Sequence, residues 1–368
     1  MQASNIPQLD HDQWRAFARD VDQLGSELSY QTGFDDFRHL RRYERWGHLA
    51  TAIGYASSWI FPNPIAALFI SVGTFTRWSL LLHPISHGAF DRVDGIPERY
   101  TSRGFARGVR RYLDWFDWMK PEQWDIEHNL LHHYHLGTDR DPDIVERNTK
   151  ALRELRLPRS LRMTLAFLVA CTWKPLYYAP NTLIEARHYL KRTSSNRITA
   201  GTWSLRTPEG RELWFGCLLP YALLRFALIP AMFLAIGSAA AVNVLLTTLM
   251  AEALTNLHGF LMIGPNHTGD DVAVFQGSAA NRGEFYFRQI TGSINFPAGS
   301  ALGDFLYGGL NYQIEHHVFP KATLLQCQRA QPHLKAICER YSVPYKEAPL
   351  LARARVVFRT IVGKESAK

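Results

Sequence analysis

Three dense histidine clusters hold the residues of this chain that are best suited to metal chemistry. The clusters read HPISH at 83–87, HNLLHH at 128–133 and QIEHH at 313–317. Imidazole is a good ligand for iron, zinc, copper and nickel, and residues three or four apart on a helix share one face. Each cluster therefore aims two or three imidazoles in one direction. One HxxxH pair arises easily by chance in a chain with 15 histidines, whereas three dense clusters favour a metal site.

The number of clustered imidazoles indicates two metal ions. A catalytic zinc takes three protein ligands and keeps one position open. The clusters supply His83, His87, His128, His132, His133, His316 and His317. Neutral nitrogen ligands leave the metals strongly positive, with room for an oxygen-derived ligand, and redox-inert zinc would gain little from such a site. The sequence therefore predicts two irons that reduce dioxygen together and generate an oxidant for an unactivated C–H bond.

Long apolar runs between the clusters predict an integral membrane protein. Hydrophobic residues make up 46% of the chain and the mean hydropathy is −0.17, but the apolar residues are concentrated in a few segments. Four of these runs approach the ~20 residues that a helix needs to cross a bilayer. They cover 48–62, 64–82, 213–235 and 238–263. Turns at Pro62-Asn63-Pro64 and near Gly237 would join them into two hairpins.

Two hairpins would place both termini and all three clusters on one side of the membrane. His83 and His87 follow the second run directly, and the other clusters fall in polar segments outside the runs. These polar segments are rich in Arg and Lys, which indicates the cytosolic side. We therefore expect an all-α integral membrane protein with about four transmembrane helices in two hairpins. A cytosolic helical cap would hold the histidine clusters.

The remaining segments set the expected domain limits. Residues 1–46 are polar and should form one or two cytosolic or interfacial helices, 47–345 should form the membrane domain, and 346–368 a tail. The stretch at 161–180 is apolar but is interrupted by Lys174 and by two prolines. Because proline breaks or kinks a helix, we interpret this stretch as a re-entrant or interfacial helix.

Two charged residues lie inside the third and fourth runs. Arg225 and Glu252 stand on either side of the turn near Gly237, at depths that differ by only about 5 Å if each residue rises 1.5 Å. An unpaired charge inside a bilayer is costly. The sequence therefore predicts that these two side chains pair or meet a polar cavity.

The net charge of +8 admits two classes of partner, nucleic acid or an anionic membrane surface. No nucleic-acid motif is evident, and the apolar runs favour the membrane. Basic residues set among Trp and Tyr are candidates to hold the phosphate of a lipid, CoA or carrier-protein substrate, or simply to meet anionic lipid. They are Arg103, Arg107, Arg110, Arg111 and Lys120.

Cysteine usage and the amino terminus suggest no secretory route. The four cysteines form no CxxC pair, so we interpret them as ordinary reduced or buried thiols. The amino-terminal residues are polar and acidic and lack the basic start and apolar core of a signal peptide.

The spacing HxxxH, HxxxHH and QxxHH resembles the histidine boxes of the membrane fatty acid desaturase family. In the second box, Trp124 precedes His128, and Asp141-Pro142-Asp143 lies downstream of the HH pair. The third region, GGLNYQIEHHVFP at 308–320, is similar to the signature of front-end desaturases. The resemblance extends over 47–345 and includes the order of runs and boxes.

The resemblance implies a di-iron centre that inserts a cis double bond into an acyl chain, with O2 as co-substrate. It implies that the seven histidines of the boxes are ligands and that an eighth comes from the polar end of the fourth run. His267 is favoured there over His258. Gln313 stands where other branches carry a histidine, and is expected to be a ligand or a donor to one. Carboxylates that could orient ligand histidines are Asp91, Glu127, Asp304 and Glu315.

Two departures from the family pattern affect the expected partners and geometry. The haem motif HPGG of a fused cytochrome b5 domain is missing, so electrons should come from a separate ferredoxin, cytochrome b5 or similar reductase. This absence and the lack of organelle signals favour a bacterial inner membrane, with the boxes facing the cytosol. Pro84 follows His83 where His-Asp is common, which should disturb the local backbone.

The resemblance leaves several functions open. The acyl substrate could be linked to lipid, CoA or a carrier protein. A hydroxylase or acetylenase could use the same metal centre. A metal transporter or a non-enzymatic metal-binding protein is disfavoured, because transporters place polar ligands near the bilayer midplane and these clusters lie outside the runs.

Overall fold

The computed structural model describes residues 9–194 and 196–363. Within these ranges the chain is helical and has no β-strand, only an isolated bridge between Asn295 and Glu347. The all-α prediction is therefore confirmed for the described residues.

Thirteen principal helices build the described part of the chain. The first six are α1 (His11–Gln31), α2 (Phe34–Ser58), α3 (Pro64–Ser86), α4 (Pro121–Trp124, Asp125–His132 and His133–His135 in succession), α5 (Arg159–Ala170) and α6 (Lys174–Tyr178 and Ala179–Tyr189). The others are α7 (Pro208–Ala235), α8 (Ser238–His267), α9 (Arg282–Thr291), α10 (Ala301–Tyr307), α11 (Gln313–Val318), α12 (Leu324–Arg340) and α13 (Leu350–Val362). Single helical turns occupy Glu98–Tyr100, Gly108–Arg110, Arg111–Asp114, Val145–Asn148, Lys150–Arg153, Ala200–Trp203 and Leu310–Tyr312.

Among the described residues, α3, α7 and α8 are long and apolar enough to cross a membrane. They match the second, third and fourth predicted runs. The first run lies in the second half of α2, whose first half is highly charged. From Gly47 to Ser58 this half rises roughly 18 Å at 1.5 Å per residue, short of the ~30 Å hydrocarbon core. A fourth span is therefore not established by length and composition.

The helices α2, α3 and α8 pack side by side. Small residues allow the close approach of α2 and α3. A Cβ atom added at Gly73 would lie 2.0 Å from Thr51 Oγ1, and one added at Gly54 would lie 2.5 Å from Ile70 Cγ1. Close backbone contact at small residues is the usual way in which helices associate in lipid.

Prolines in α3 and α7 coincide with widened helical turns. π-Helical turns at Arg77–Leu82, Trp214–Leu218 and Leu224–Leu228 directly precede helical segments that carry Pro84, Pro220 and Pro230 near their start. A proline lacks an N–H and its ring clashes with the carbonyl four residues earlier, and a π-turn relieves that clash. The backbone at Pro84 is thus altered, but α3 stays continuous into the first histidine box.

The two ends of the described chain pack onto the cap. Phe17 and Val21 of α1 share a buried core with Ile290 of α9 and with Leu334 of α12. At the other end, α13 packs against α5 and against the end of α8. Helix α2 runs without a break through residue 46, where the first domain limit was expected.

The intramembrane charges Arg225 and Glu252 meet, as predicted. Their side chains approach to 3.7 Å and each is about one-tenth exposed. Arg225 Nη1 also donates a hydrogen bond of 2.6 Å to the Tyr55 hydroxyl. The prediction that these charges pair is confirmed.

Candidate metal centre

Eight imidazole rings from α3 and its carboxyl end, α4, α8 and α11 converge into two adjacent groups. The five-histidine group contains His83, His87, His128, His133 and His316. The three-histidine group contains His132, His267 and His317. Within each group the candidate ligand atoms all lie within 4.8 Å of one another. Stretches more than 180 residues apart in the sequence thus supply one compact cluster of nitrogen atoms.

Adjacent histidines divide between the two groups. His132 and His133 have ring planes 80° apart, and His316 and His317 have ring planes 75° apart. Neighbouring residues on a helix point about 100° apart because 3.6 residues make one turn. Each HH pair therefore contributes one ring to each group, while His133 and His317 stack at 4.4 Å across the boundary between the groups.

The second box lies on a π-helical segment, Asp125–His132, rather than on a regular α-helix. The wider turn brings residues four and five apart onto one face, and π-turns occur frequently at functional sites. His128 is four and five residues before His132 and His133, so all three rings face the centre. Trp124, one turn earlier, stacks on the ring of His128 at 4.4 Å.

The nitrogen atoms fit metal ions. His83 Nε2 lies 2.9 Å from His128 Nε2, and His133 Nε2 lies 3.0 Å from His316 Nε2. Two nitrogen ligands at right angles on a metal with bonds of about 2.1 Å are separated by roughly 3 Å. The Nε2 atom of His87 is buried and has no hydrogen-bond partner. A buried lone pair without a partner is costly, and a cation would satisfy it.

Hydrogen bonds orient the rings of the three-histidine group. His132 Nδ1 lies 2.9 Å from Asp141 Oδ1, His267 Nδ1 lies 3.0 Å from the Gly292 carbonyl, and His317 Nδ1 lies 3.1 Å from Gln289 Oε1. Each contact favours a proton on Nδ1 and leaves the Nε2 lone pair free. Such contacts are usual for metal-bound histidines.

Gln313 occupies the open side of the three-histidine group. Its amide nitrogen lies 2.9 Å from His267 Nε2 and 3.2 Å from His317 Nε2, and its Oε1 atom is buried without a hydrogen-bond partner. Rotation of the amide by 180° would present the oxygen to the same point. The side chain is therefore placed either to ligate a metal or to donate a hydrogen bond there.

Burial keeps most of the imidazoles neutral. It lowers the pKa of His87, His128, His133, His316 and His317, and the neighbouring histidines lower the pKa further. His132 differs. Burial also disfavours its charged form, but the Asp141 carboxylate outweighs burial and raises the pKa of His132. Neutral imidazole is the form that binds a metal.

The four carboxylates proposed from the sequence bond to other groups. Glu127 accepts from the Tyr178 hydroxyl at 3.1 Å, and Glu315 accepts from Asn295 Nδ2 at 2.8 Å and from the Tyr345 hydroxyl at 2.5 Å. Burial raises the pKa of Glu315 to about 7. The other two carboxylates hold loops together through contacts of Asp304 with Asn311 and Gln328 and of Asp91 with Ser102.

Asp141 and Gln289 orient rings of the cluster and Asp143 lies beside it, and all three were missed as site residues. Asp141 was detectable, because it lies in the Asp-Pro-Asp motif downstream of the second box. Asp143 of the same motif lies 3.9 Å from His132 Nδ1. Gln289 belongs to α9, far from any box in the sequence, and it also donates to the His133 carbonyl at 3.0 Å. No sequence pattern around Gln289 indicated this position.

His267 and His258 have different surroundings. His267 lies in the three-histidine group. The Nε2 atom of His258 contacts the Leu306 carbonyl at 2.7 Å, and its ring packs on Phe75 with centroids 4.1 Å apart. The geometry therefore places His267 with the other candidate ligands and His258 outside both groups.

The basic residues proposed for a substrate head group are mostly engaged within the protein. Arg107 contacts Asp125, and Arg110 bonds Asp114 at 2.6 Å. Arg111 donates to the carbonyls of Gly216 and Met119, and Lys120 contacts Glu212 at 3.0 Å. The Gly216 carbonyl is the one that Pro220 leaves without its helical partner. Arg103 remains exposed.

Two cavities reach the histidines from different sides. An apolar cavity of about 270 Å³ touches His132 and His267 of the three-histidine group. Its walls come from the segment 143–152, from Trp173 and from α5, α6, α8 and α13, and they include Phe260. A smaller cavity of about 40 Å³ touches His83 and His316 of the five-histidine group.

Comparisons with known proteins agree with this geometry. The family model for fatty acid desaturase matches residues 57–349. An NADPH-dependent stearoyl-CoA 9-desaturase of Mycobacterium tuberculosis is 24% identical over 362 residues, which cover 94% of this chain and 78% of that protein. An acyl-lipid (7-3)-desaturase of Rebecca salina is 29% identical over 315 residues, 81% of this chain and 62% of that protein.

A shorter similarity involves a Delta(8)-fatty-acid desaturase of Borago officinalis, which is 31% identical over 81 residues, 22% of this chain and 17% of that protein. The family match, in contrast, covers most of the chain and includes all three histidine boxes. The chain belongs to the fatty acid desaturase family and is an oxidoreductase that acts on fatty acyl chains.

Proposed function

We propose that this protein introduces a cis double bond into a lipid-, CoA- or carrier-linked acyl chain at a histidine-bound di-iron centre. The net reaction removes two hydrogen atoms from neighbouring methylenes. With O2, two electrons and two protons it gives the alkene and two molecules of water. The observation that carries the proposal is the meeting of eight imidazoles in two adjacent groups, each compact enough for one metal ion.

The five-histidine group would hold one iron, and the three-histidine group would hold the other with Gln313 as a further ligand or as a hydrogen-bond donor. The two irons, when bound, would supply the oxidising power that attacks an unactivated C–H bond. Asp141, Gln289 and the Gly292 carbonyl would keep Nε2 of their histidines aimed at the metal. The protein itself has little acid–base work to do.

The 270 Å³ cavity is the proposed chamber for the acyl chain. Most of its lining is apolar, with Trp173, Phe260 and Ile263 among the walls, and therefore matches a hydrocarbon. Because the cavity touches His132 and His267, a methylene in the chamber would be held beside the metal centre. Positioning of this kind is the main contribution that a protein makes to such a reaction.

The proposed membrane arrangement has four spans in two hairpins, with the cap in the cytosol of a bacterial cell and the spans in its inner membrane. α2 would form the first span, helped by its exposed apolar residues Leu49 and Ile53 and by Ile60 just after its end. The domain limits 1–46, 47–345 and 346–368 remain predictions. Electrons would arrive from a separate ferredoxin, cytochrome b5 or similar reductase.

Metal analysis combined with lipid profiling tests the proposal. The purified protein should contain about two irons per chain. Expression in a host should create a new double bond, and His132→Ala or His317→Ala should abolish it while the protein stays in the membrane. His258→Ala is the matched control, because it removes a partly buried histidine outside both groups.

Two results would contradict the proposal. Full activity of both variants would refute the assigned site. A hydroxylated or acetylenic product in place of the alkene would keep the metal centre but change the reaction. Mass spectrometry of the acyl products distinguishes these outcomes.

A further inference from the structure

A third cavity, of about 220 Å³, lies between the helices. Its walls come from α2, α3, α7 and the loop 112–117, and no residue of either histidine group lines it. The polar side chains on its walls include Arg77, Arg225 and Trp115. Two guanidinium groups therefore face one small space inside the bundle.

Several hydrogen-bond donors of this cavity have no acceptor. Arg225 is 7% exposed, and its Nε and Nη2 atoms have no hydrogen-bond partner, while Nη1 donates to Tyr55. Trp115 is 1% exposed, and its Nε1 atom also has no partner. Arg77 is only partly buried, and its guanidinium makes no hydrogen bond to the described residues. Burying donors without acceptors costs free energy, so an acceptor is expected in this space.

The carboxylates near this cavity already accept hydrogen bonds from other residues. Glu252 accepts hydrogen bonds from Trp118 at 2.6 Å and from Tyr221 at 2.9 Å, and it lies 3.7 Å from Arg225 Nη2. Asp117 lines the cavity but is bonded to Lys174 at 2.5 Å.

Arg111 adds a third guanidinium behind the cavity wall. It lies 5.9 Å and 5.6 Å from the ring centroids of Tyr112 and Phe116, which line the cavity, and it donates only to carbonyls. The charges around the cavity therefore sum to a positive value, which a bound anion would compensate.

We propose that this cavity binds the oxyanion of a membrane amphiphile, either the carboxylate of a fatty acid or the phosphate of an anionic phospholipid. Guanidinium groups pair with both oxyanions in bidentate geometry, and the indole N–H of Trp115 would add a third donor. Leu224 and Ile229 line the cavity, and the adjacent Leu223 and Leu228 are more than half exposed on α7. These residues offer an apolar path for the tail of the ligand.

This lipid site goes beyond the proposed function. It depends on insertion of α3 and α7 in the membrane, and it requires no metal and no acyl turnover. A cavity of this size can also hold several water molecules, so the experiment must separate an anionic ligand from water alone.

Native mass spectrometry of the full chain in detergent provides the test. The probes are dioleoylphosphatidylglycerol, oleate, inorganic phosphate and the zwitterionic dioleoylphosphatidylcholine. We expect one molecule of dioleoylphosphatidylglycerol or of oleate to bind, and the two arms show which oxyanion is preferred. Arg77→Gln should weaken that binding about tenfold, the effect of losing one charge-assisted contact.

Two further variants keep the test decisive. Trp115→Phe keeps an aromatic ring, though a smaller one, and removes the N–H, so it should weaken binding even if Arg77→Gln fails to fold. Arg19→Gln removes an exposed arginine of α1, away from both cavities and the metal centre, and should bind as the unmodified protein does. Iron content, which neither cavity variant should change, separates a failure of this site from a failure of the metal centre.

Three outcomes would overturn the proposal. One is equal binding of the zwitterionic and anionic lipids. Another is binding of inorganic phosphate as tight as that of the amphiphiles. The third is unchanged binding in both Arg77→Gln and Trp115→Phe, which would leave water as the content of the cavity.

Discussion

The metal centre and the polar cavity between the helices are both buried polar clusters, but their hydrogen-bonding capacity is opposite. The histidine groups present an excess of ring nitrogens, two of which, His87 Nε2 and His133 Nδ1, have no hydrogen-bond partner. The cavity beside Arg225 presents an excess of N–H donors without an acceptor. A cation can satisfy an excess of acceptors, and an anion can satisfy an excess of cationic donors. The unsatisfied atoms thus indicate the kind of ligand in each case.

The largest effect is expected when a histidine of the three-histidine group is replaced, because this should change both iron content and activity. His267→Ala leaves only two imidazoles in the three-histidine group, too few to hold a metal well. We expect about one iron per chain in place of about two, and a fall in desaturation greater than the 10- to 100-fold loss typical of outer contacts. Iron analysis and product quantification measure both effects. His258→Ala should retain both irons, and equal iron content in the two variants would contradict the assignment.

Removing a counter-charge near the cavity should have the next largest effect, on stability. Asp117 and Lys174 form an ion pair in which each side chain is 1% exposed. Asp117→Ala leaves a buried ammonium without its partner and should cost about 3–5 kcal/mol. Thermal unfolding in detergent measures the loss.

The matched control uses the pair of Lys335 and Glu347, whose side chains are about one-third exposed. Glu347→Ala should cost at most about 1 kcal/mol, because solvent screens a surface pair. A similar loss of stability in the two variants would show that burial does not increase the contribution of the Asp117–Lys174 pair to the free energy of unfolding.

A contact that orients a ligand should have a smaller effect than loss of the ligand itself. Asp141→Asn weakens the contact with His132 Nδ1 and should reduce metal affinity about 10- to 100-fold. Titration of the metal-free protein with Fe(II) measures this affinity. Asp304→Asn is the control, since Asp304 bonds Asn311 and Gln328 instead of a histidine. Equal affinities in the two variants would exclude the orienting role of Asp141.

The smallest effect is expected at the exposed basic residue. If Arg103 meets the substrate head group, Arg103→Gln should raise KM by up to about fivefold at unchanged kcat, because an exposed ion pair contributes at most ~1 kcal/mol. Initial rates at two ionic strengths check this expectation, since salt screens the contact. An unchanged KM would show that Arg103 does not contact the head group of the substrate.

The predictions that succeeded depended on local patterns. The apolar runs at 64–82, 213–235 and 238–263 became helices long enough to span a membrane. Hydropathy could identify them because a helix satisfies its own backbone hydrogen bonds, so that an apolar run of sufficient length can cross the bilayer. The run at 48–62 stays a prediction, since it continues a charged helix whose apolar half is short.

Local patterns did not predict the backbone geometry around the boxes. The π-helical turns at Arg77–Leu82 and Asp125–His132 shift the faces on which the histidines lie. A proline beside the first box hinted at the former turn, but no comparable signal precedes the latter. The role of Gln289 was also hidden, because α9 contributes it from a segment without any motif.

The sequence by itself determined which side chains can act as metal ligands and which segments are apolar. Both properties depend only on residue types and on their spacing along the chain. It also restricted the eighth ring to two candidates, His258 and His267. Only the tertiary structure separated those two and divided the eight rings into a group of five and a group of three. That division depends on the relative positions of helices far apart in sequence, and the packing of the whole bundle sets those positions.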